Sequence, residues 1–74
     1  MAHLVDYEEA VGEKDKALAA IEVARHKNSK AAAWNWADRA VEHAEAAGIE
    51  DAGYLVADGR YPDCAELEKR LKSL

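Results

Sequence analysis

Hydrophobic and polar positions alternate with a helical period along most of this chain, and they predict four helical segments. The first apolar stripe consists of Leu4, Tyr7, Val11, Leu18 and Ile21. Asp6 and Glu9 have the spacing of a capping box, which places helix one over about residues 6–27. Gly12 weakens one continuous helix, and Asp15 offers a second N-cap, which leaves a short leading turn and a main helix near residues 15–27.

Helix two has the clearest boundaries in the sequence. Ser29 is a favoured N-cap residue, and the run from there to Ala47 contains eight alanines and neither glycine nor proline. Gly48 can adopt the left-handed conformation that ends a helix, and Ile49 can then contact the last turn as in a Schellman motif. We therefore predict helix two over about residues 29–47.

The last third of the chain predicts a short connecting helix and a fourth helix. Tyr54, Leu55 and Val56 could form a short strand, but no second strand-like run exists to pair with it, so a short helix near residues 50–57 is favoured. The fourth helix is predicted over about residues 63–73. Its expected N-terminus is a capping box in which Asp63 is the N-cap and Glu66 is its partner, and its apolar stripe is Leu67, Leu71 and Leu74.

The segment ADGRYPDCAELEKRL, residues 57–71, resembles the middle of a tetratricopeptide repeat. Such a repeat carries a glycine, an aromatic residue and then a small residue before a helix, and here these are Gly59, Tyr61 and Cys64. The leucine–glycine pair expected upstream is absent, and no second repeat follows. The resemblance implies a helical hairpin over residues 50–74 and no more.

Composition limits the size of the core and favours close helix packing. The chain has 74 residues and is 50% hydrophobic, but much of that fraction is alanine, which favours helix and buries little area. A core of this size is marginal unless something reinforces it. We predict one all-α domain over residues 1–74, a small bundle of three main helices plus the short connecting helix, with a partner as one way to complete the core.

Net charge and cysteine content indicate which classes of partner and which cellular compartment to expect. The net charge of −5 disfavours direct binding to nucleic acid or to anionic membranes, and it suits either ordinary solubility or a basic protein surface. One cysteine permits no internal disulfide. Neither a secretory signal nor an apolar run long enough to span a membrane is visible, so we expect a cytoplasmic protein.

Two tryptophans in the stretch AAAWNWA are the nearest feature to a functional signal. Trp34 and Trp36 are two positions apart, so in a helix they point about 200° apart. Either helix two is central and buries both indoles, or one indole is exposed and anchors a partner. On the second interpretation the interface residues are Trp34, Trp36, Arg39, Val41, His43, Tyr54 and Tyr61.

No catalytic, cofactor or metal motif stands out, so we expect no enzyme, no cofactor, no metal site and no small-molecule substrate. The cluster RHKNSK, residues 25–30, reads as helix-end electrostatics rather than a phosphate site. Cys64 is expected to be a small packing residue rather than a reactive thiol.

The sequence favours a small acidic non-catalytic interaction module (an inhibitor, adaptor or small subunit) that forms a homodimer through helix two. The alternative is an acidic decoy for a basic nucleic-acid-binding surface, suggested by like-charge pairs such as Asp38 with Glu42.

Overall fold

The computed structural model describes residues 7–74, and it confirms the all-α prediction. Three α-helices are present in this part of the chain: α1 (Glu13–Arg25), α2 (Lys30–Ala46) and α3 (Ala65–Lys72). Two 3-10 turns accompany them, at Tyr7–Glu9 and Ala52–Leu55. The expected N-cap at Asp6 lies outside the described residues.

The N-terminal segment is divided rather than continuous over residues 6–27. A 3-10 turn covers Tyr7–Glu9, and α1 begins only at Glu13. The break falls at Gly12 and not at Asp15, because Gly12 has a φ of +86°, a value that only glycine adopts without strain. Its carbonyl oxygen accepts the first helical hydrogen bond of α1, from the Lys16 amide at 3.0 Å.

Helix α2 has the two ends that its sequence predicts. The Ser29 hydroxyl oxygen accepts a hydrogen bond from the Ala32 amide at 3.2 Å, which satisfies one of the free donors of the first turn. At the other end Gly48 has a φ of +107°. The Ile49 amide donates to the Ala44 carbonyl and the Gly48 amide to the Glu45 carbonyl, both at 3.0 Å, which is the Schellman pattern.

The short helix expected near residues 50–57 does not form, and this segment contains only the 3-10 turn at Ala52–Leu55. The chain then extends, and Ala57 forms an isolated antiparallel bridge with Asp63 through two backbone hydrogen bonds of 3.0 and 2.8 Å. The helical hairpin that the tetratricopeptide resemblance implies is therefore absent from residues 50–74, since a single 3-10 turn stands where its first helix would be.

The bridge also changes how α3 begins. The Asp63 amide donates to the Ala57 carbonyl, so it is not available for the reciprocal bond from Glu66 that a capping box requires. The Asp63 carboxylate still accepts from the Ala65 amide at 3.0 Å, and the helix starts at Ala65. Leu67 and Leu71 are fully buried, whereas Leu74 is 57% exposed, so the expected leucine stripe loses its last member.

The core of the described residues is built mainly from alanine. Nine of its fifteen buried hydrophobic residues are alanines, and the largest fully buried side chains are Ile21, Leu67 and Leu71. Within residues 7–74, the most extensive contact between elements is that of α1 with α2. Alanine at such a contact lets two helix backbones approach closely, so the fold depends on a tight α1–α2 pair on which the shorter α3 packs.

Candidate interaction surface

The two tryptophans flank one inward-facing alanine stripe of α2. The buried residues of this helix are Ala33, Ala37, Ala40 and Ala44. With about 100° per residue, Trp34 lies about 90° to one side of this stripe and Trp36 about 70° to the other. Both indoles are half-buried and pack against the core cluster. Neither tryptophan is therefore fully exposed.

The flank that carries Trp34 is covered by the segment after α2. Val41 lies two turns along the same flank, and a Cβ placed on Gly53 would lie 3.9 Å from its Cγ1 atom. Near the start of the helix, Lys30 forms an ion pair of 3.3 Å with Asp58. Tyr54, which neighbours Gly53, is 93% exposed, so this flank presents a tyrosine to solvent while Trp34 packs inward.

The flank that carries Trp36 meets the N-terminal turn. The Tyr7 ring packs edge-on against Trp36, with the ring centroids 5.1 Å apart and the planes at 84°. The exposed Arg39 guanidinium lies 4.4 Å from the indole centroid, within range of a cation–π interaction. The structure thus unites a tyrosine, a tryptophan and an arginine on one side of α2.

His43 connects this group to the start of α1. Its Nε2 atom lies 2.5 Å from the Tyr7 hydroxyl, and its Nδ1 atom lies 2.5 Å from a carboxylate oxygen of Glu13. A neutral ring protonated on Nδ1 donates to Glu13 and accepts from Tyr7, and a charged ring donates to both. A hydroxyl–imidazole–carboxylate order also activates nucleophiles in enzymes. Here the tyrosine ring packs on Trp36, the Tyr7 bond holds the N-terminal turn on α2, and the Glu13 bond holds the start of α1 on the same helix.

We call these five residues the Trp36 surface: Tyr7, Glu13, Trp36, Arg39 and His43. Sequence reasoning proposed Trp36, Arg39 and His43 as interface residues but missed Tyr7 and Glu13. The hydrogen-bonded partners are 36 and 30 residues apart, so no local spacing in the sequence indicates them. Of the other proposed residues, Trp34, Val41 and Tyr54 belong to the opposite flank of α2.

Tyr61 occupies a third location, beside the turn between α1 and α2. Its hydroxyl donates to the Asn28 carbonyl oxygen at 3.1 Å, and its side chain is 44% exposed. The seven proposed interface residues therefore fall into three groups. In the Trp36 surface, Arg39 contacts Trp36 directly, and His43 is joined to Trp36 through Tyr7.

The contact between α1 and α3 has its own electrostatics. Arg25 donates two hydrogen bonds to the Glu68 carboxylate, at 2.9 and 3.1 Å. This pairing lowers the pKa of Glu68 and raises the pKa of Arg25. Cys64 is a buried free thiol, and its burial raises its pKa, which disfavours the reactive thiolate.

Comparison with known proteins adds no relative to this description. No protein-family model matches the chain, and neither the curated proteins nor the solved structures contain a significant match. Within residues 7–74, no helix has the length and apolar character to cross a membrane. The same residues contain no cluster of three or more histidine, cysteine or acidic side chains placed to hold a metal ion.

Proposed function

We propose that this chain is a small acidic, non-catalytic protein-interaction module that associates with itself through the Trp36 surface. The observation that carries the proposal is the contact among Tyr7, Trp36 and Arg39. Tyrosine, tryptophan and arginine are the residue types that dominate binding energy at protein interfaces. Arg39 is exposed and the indole is half-buried, so both are available to a partner.

Two further features favour a second copy of the chain as that partner. The surface carries a cation, Arg39, and a partly exposed carboxylate, Glu13, so two copies related by a twofold axis can place opposite charges together. Val11 lies between Tyr7 and Glu13 in the sequence, and it exposes 83% of an apolar side chain to solvent. A cytoplasmic location is part of the proposal, because the single cysteine is a free thiol.

Sedimentation velocity over a concentration series tests the proposal. We expect the unmodified chain to form a dimer and Arg39→Glu to weaken it by about 30-fold or more, as loss of a 2 kcal/mol interface residue does. Because Arg39 is exposed, the helical content by circular dichroism should not change. Arg60→Glu is the matched control, since Arg60 is also exposed, lies in the loop before α3 and changes the net charge equally.

Three outcomes of this experiment count against the proposal. A chain that stays monomeric at about 1 mM has no self-association of useful strength. Arg39→Glu weakening the dimer no more than Arg60→Glu does would show that the Trp36 surface is not the interface. Loss of the dimer in Tyr54→Ala, but not in Arg39→Glu, would move the interface to the opposite flank of α2.

A second candidate function is an acidic decoy that occupies a basic nucleic-acid-binding surface of a partner protein. It is favoured by Asp38, Glu42 and Glu45, which are exposed along the outer side of α2 and form no ion pairs with other described residues. Binding by these carboxylates should weaken steeply with salt and disappear when all three become amides. Association through the Trp36 surface should survive both changes.

A further inference from the structure

A cleft of about 360 Å³ opens at the corner where α1 leads into α2. Its lining residues are Ala24, Arg25, Lys27, Asn28, Tyr61 and Pro62. The hydrogen bond from the Tyr61 hydroxyl to the Asn28 carbonyl joins the helix corner to the loop before α3. Because this bond ties the two walls together, the cleft is a preformed feature, and its volume lies in the range of small-molecule sites.

The cleft carries one uncompensated positive charge in an acidic chain. No acidic residue occurs between Glu22 and Asp38, although the chain as a whole has a charge of −5. The Arg25 guanidinium is already bonded to Glu68 and Glu22. Lys27 forms no ion pair within the described part of the chain, and its ammonium nitrogen lies 5.9 Å from the Trp36 ring centroid, so it is a cation of the cleft that no carboxylate neutralises.

The remaining lining groups define what else a ligand would need. The Tyr61 ring, Pro62 and Ala24 form apolar walls that suit an apolar or aromatic group. The Asn28 side chain supplies an amide that both donates and accepts hydrogen bonds. An ammonium group, an amide and an apolar wall together match a carboxylate that is attached to an amide and an apolar side chain.

We propose that this cleft binds an N-acylated amino acid with a free carboxylate and an apolar side chain, either as the C-terminal residue of a peptide or as a free small molecule. The carboxylate pairs with Lys27, the acyl amide bonds to Asn28, and the side chain lies against Tyr61 and Pro62. This site lies beside the Trp36 surface, since the Lys27 ammonium nitrogen is 5.9 Å from the Trp36 ring centroid, but it does not require self-association.

Titration of the isotope-labelled full chain with N-acetylphenylalanine, followed by NMR, tests the site. We expect shifts at the Asn28 side-chain amide and at the Trp36 indole, whose ring centroid lies 5.9 Å from the Lys27 ammonium nitrogen. N-acetylphenylalaninamide lacks the charge and N-acetylglycine lacks the ring, and each should bind about tenfold more weakly. Equal binding of the charged and amidated ligands would overturn the proposal, as would shifts confined to residues outside the cleft.

A pair of matched variants tests whether Lys27 is the residue that binds the ligand carboxylate. Lys27→Gln should weaken N-acetylphenylalanine binding about tenfold, whereas Lys69→Gln, the same charge change on the exposed side of α3, should not. Equal affinities for the two variants would refute the role of Lys27. Repeating the titration at several chain concentrations separates this site from the proposed dimer, because the affinity per chain should not change with the extent of self-association.

A tetrapeptide that ends in phenylalanine identifies the source of the carboxylate. Binding at least as tight as that of N-acetylphenylalanine supports a peptide C-terminus, and weaker binding supports a free acylated amino acid. If neither compound shifts the cleft residues, the proposal fails.

Discussion

Substitution of Ala40 by leucine tests the alanine packing on which the whole fold depends. Ala40 lies in the middle of the inward stripe of α2 and has no exposed surface. Leucine adds three carbons, which would contribute up to about 2.4 kcal/mol of stability if an empty space could receive them. In a filled core the same carbons force the helices apart, and the net effect is destabilisation by about 1–3 kcal/mol. The sign of the measured change therefore reports the spacing of α1 and α2.

A destabilisation of this size is large for so small a domain. At about 0.05–0.15 kcal/mol per residue, the free energy of unfolding of a 74-residue chain is about 4–11 kcal/mol. Each kcal/mol lowers the Tm of a domain of this size by about 4–8 °C, so we expect Ala40→Leu to lower it by about 4–24 °C. Thermal unfolding followed by circular dichroism at 222 nm, at a fixed protein concentration, measures the shift.

Ala46→Leu is the matched control, because Ala46 is an exposed residue near the end of the same helix. Its change should stay within about 0.5 kcal/mol, since alanine and leucine differ little in helix propensity. The reasoning is refuted if Ala40→Leu leaves the Tm unchanged or raises it while Ala46→Leu behaves as expected. Either result would mean that α1 and α2 leave room between them.

Two further predictions concern α3 and its contact with α1. Cys64 should react with iodoacetamide at neutral pH far more slowly in the native chain than in urea, because burial both shields the thiol and raises its pKa, and equal rates would contradict that. Glu68→Gln should lower the free energy of unfolding at pH 7 by about 0.5–1 kcal/mol, a modest value because Arg25 is 39% exposed and therefore screened. Since pairing lowers the pKa of Glu68 in the folded chain, this contribution is complete above the ordinary glutamate pKa of about 4.3 and is lost as the pH falls through the lowered folded value. Denaturant titrations of the unmodified chain and of Glu68→Gln at several pH values measure this contribution. A difference in their free energies of unfolding that grows in acid would contradict the assignment.

Local signals in the sequence are sufficient to predict both ends of α2. Ser29 and Gly48 each act on backbone groups within four residues of themselves, so their effect can be read without knowing the fold. The same argument explains why α3 was placed within two residues of its start. Its true beginning at Ala65 depends on the bridge between Ala57 and Asp63, which is a tertiary feature.

Contacts between distant residues account for what the sequence did not predict. The bonds from His43 to Tyr7 and Glu13 span 36 and 30 residues, and the segment over residues 50–57 is held by the bridge rather than by its own helical period. Such contacts carry no periodic signal, because periodicity reports only which face of one element is apolar. The interface hypothesis therefore reached Trp36 and His43 but could not assemble them with their partners.

Helix geometry gave the angle between the two tryptophans correctly but not the position of the core face between them. The helical period taken alone groups Ala37 and Ala44 with Trp34, and Ala33 and Ala40 with Trp36, which would give each indole its own apolar stripe. All four alanines instead form one inward stripe. At the line of closest approach between two helices only small side chains fit, and large rings find space on the flanks, where the helix surfaces diverge.

The flank position gives Trp36 two roles at once, and this determines how its function must be tested. One part of the indole packs on the core and on Tyr7, so Trp36→Ala removes support for the fold as well as any binding anchor. Loss of association in that variant would not distinguish the two roles. Arg39 contacts the outer part of the same ring and is itself exposed, so changing it alters the surface while leaving the core in place. The arginine, rather than the tryptophan that first draws attention in the sequence, is therefore the residue that separates interaction from stability.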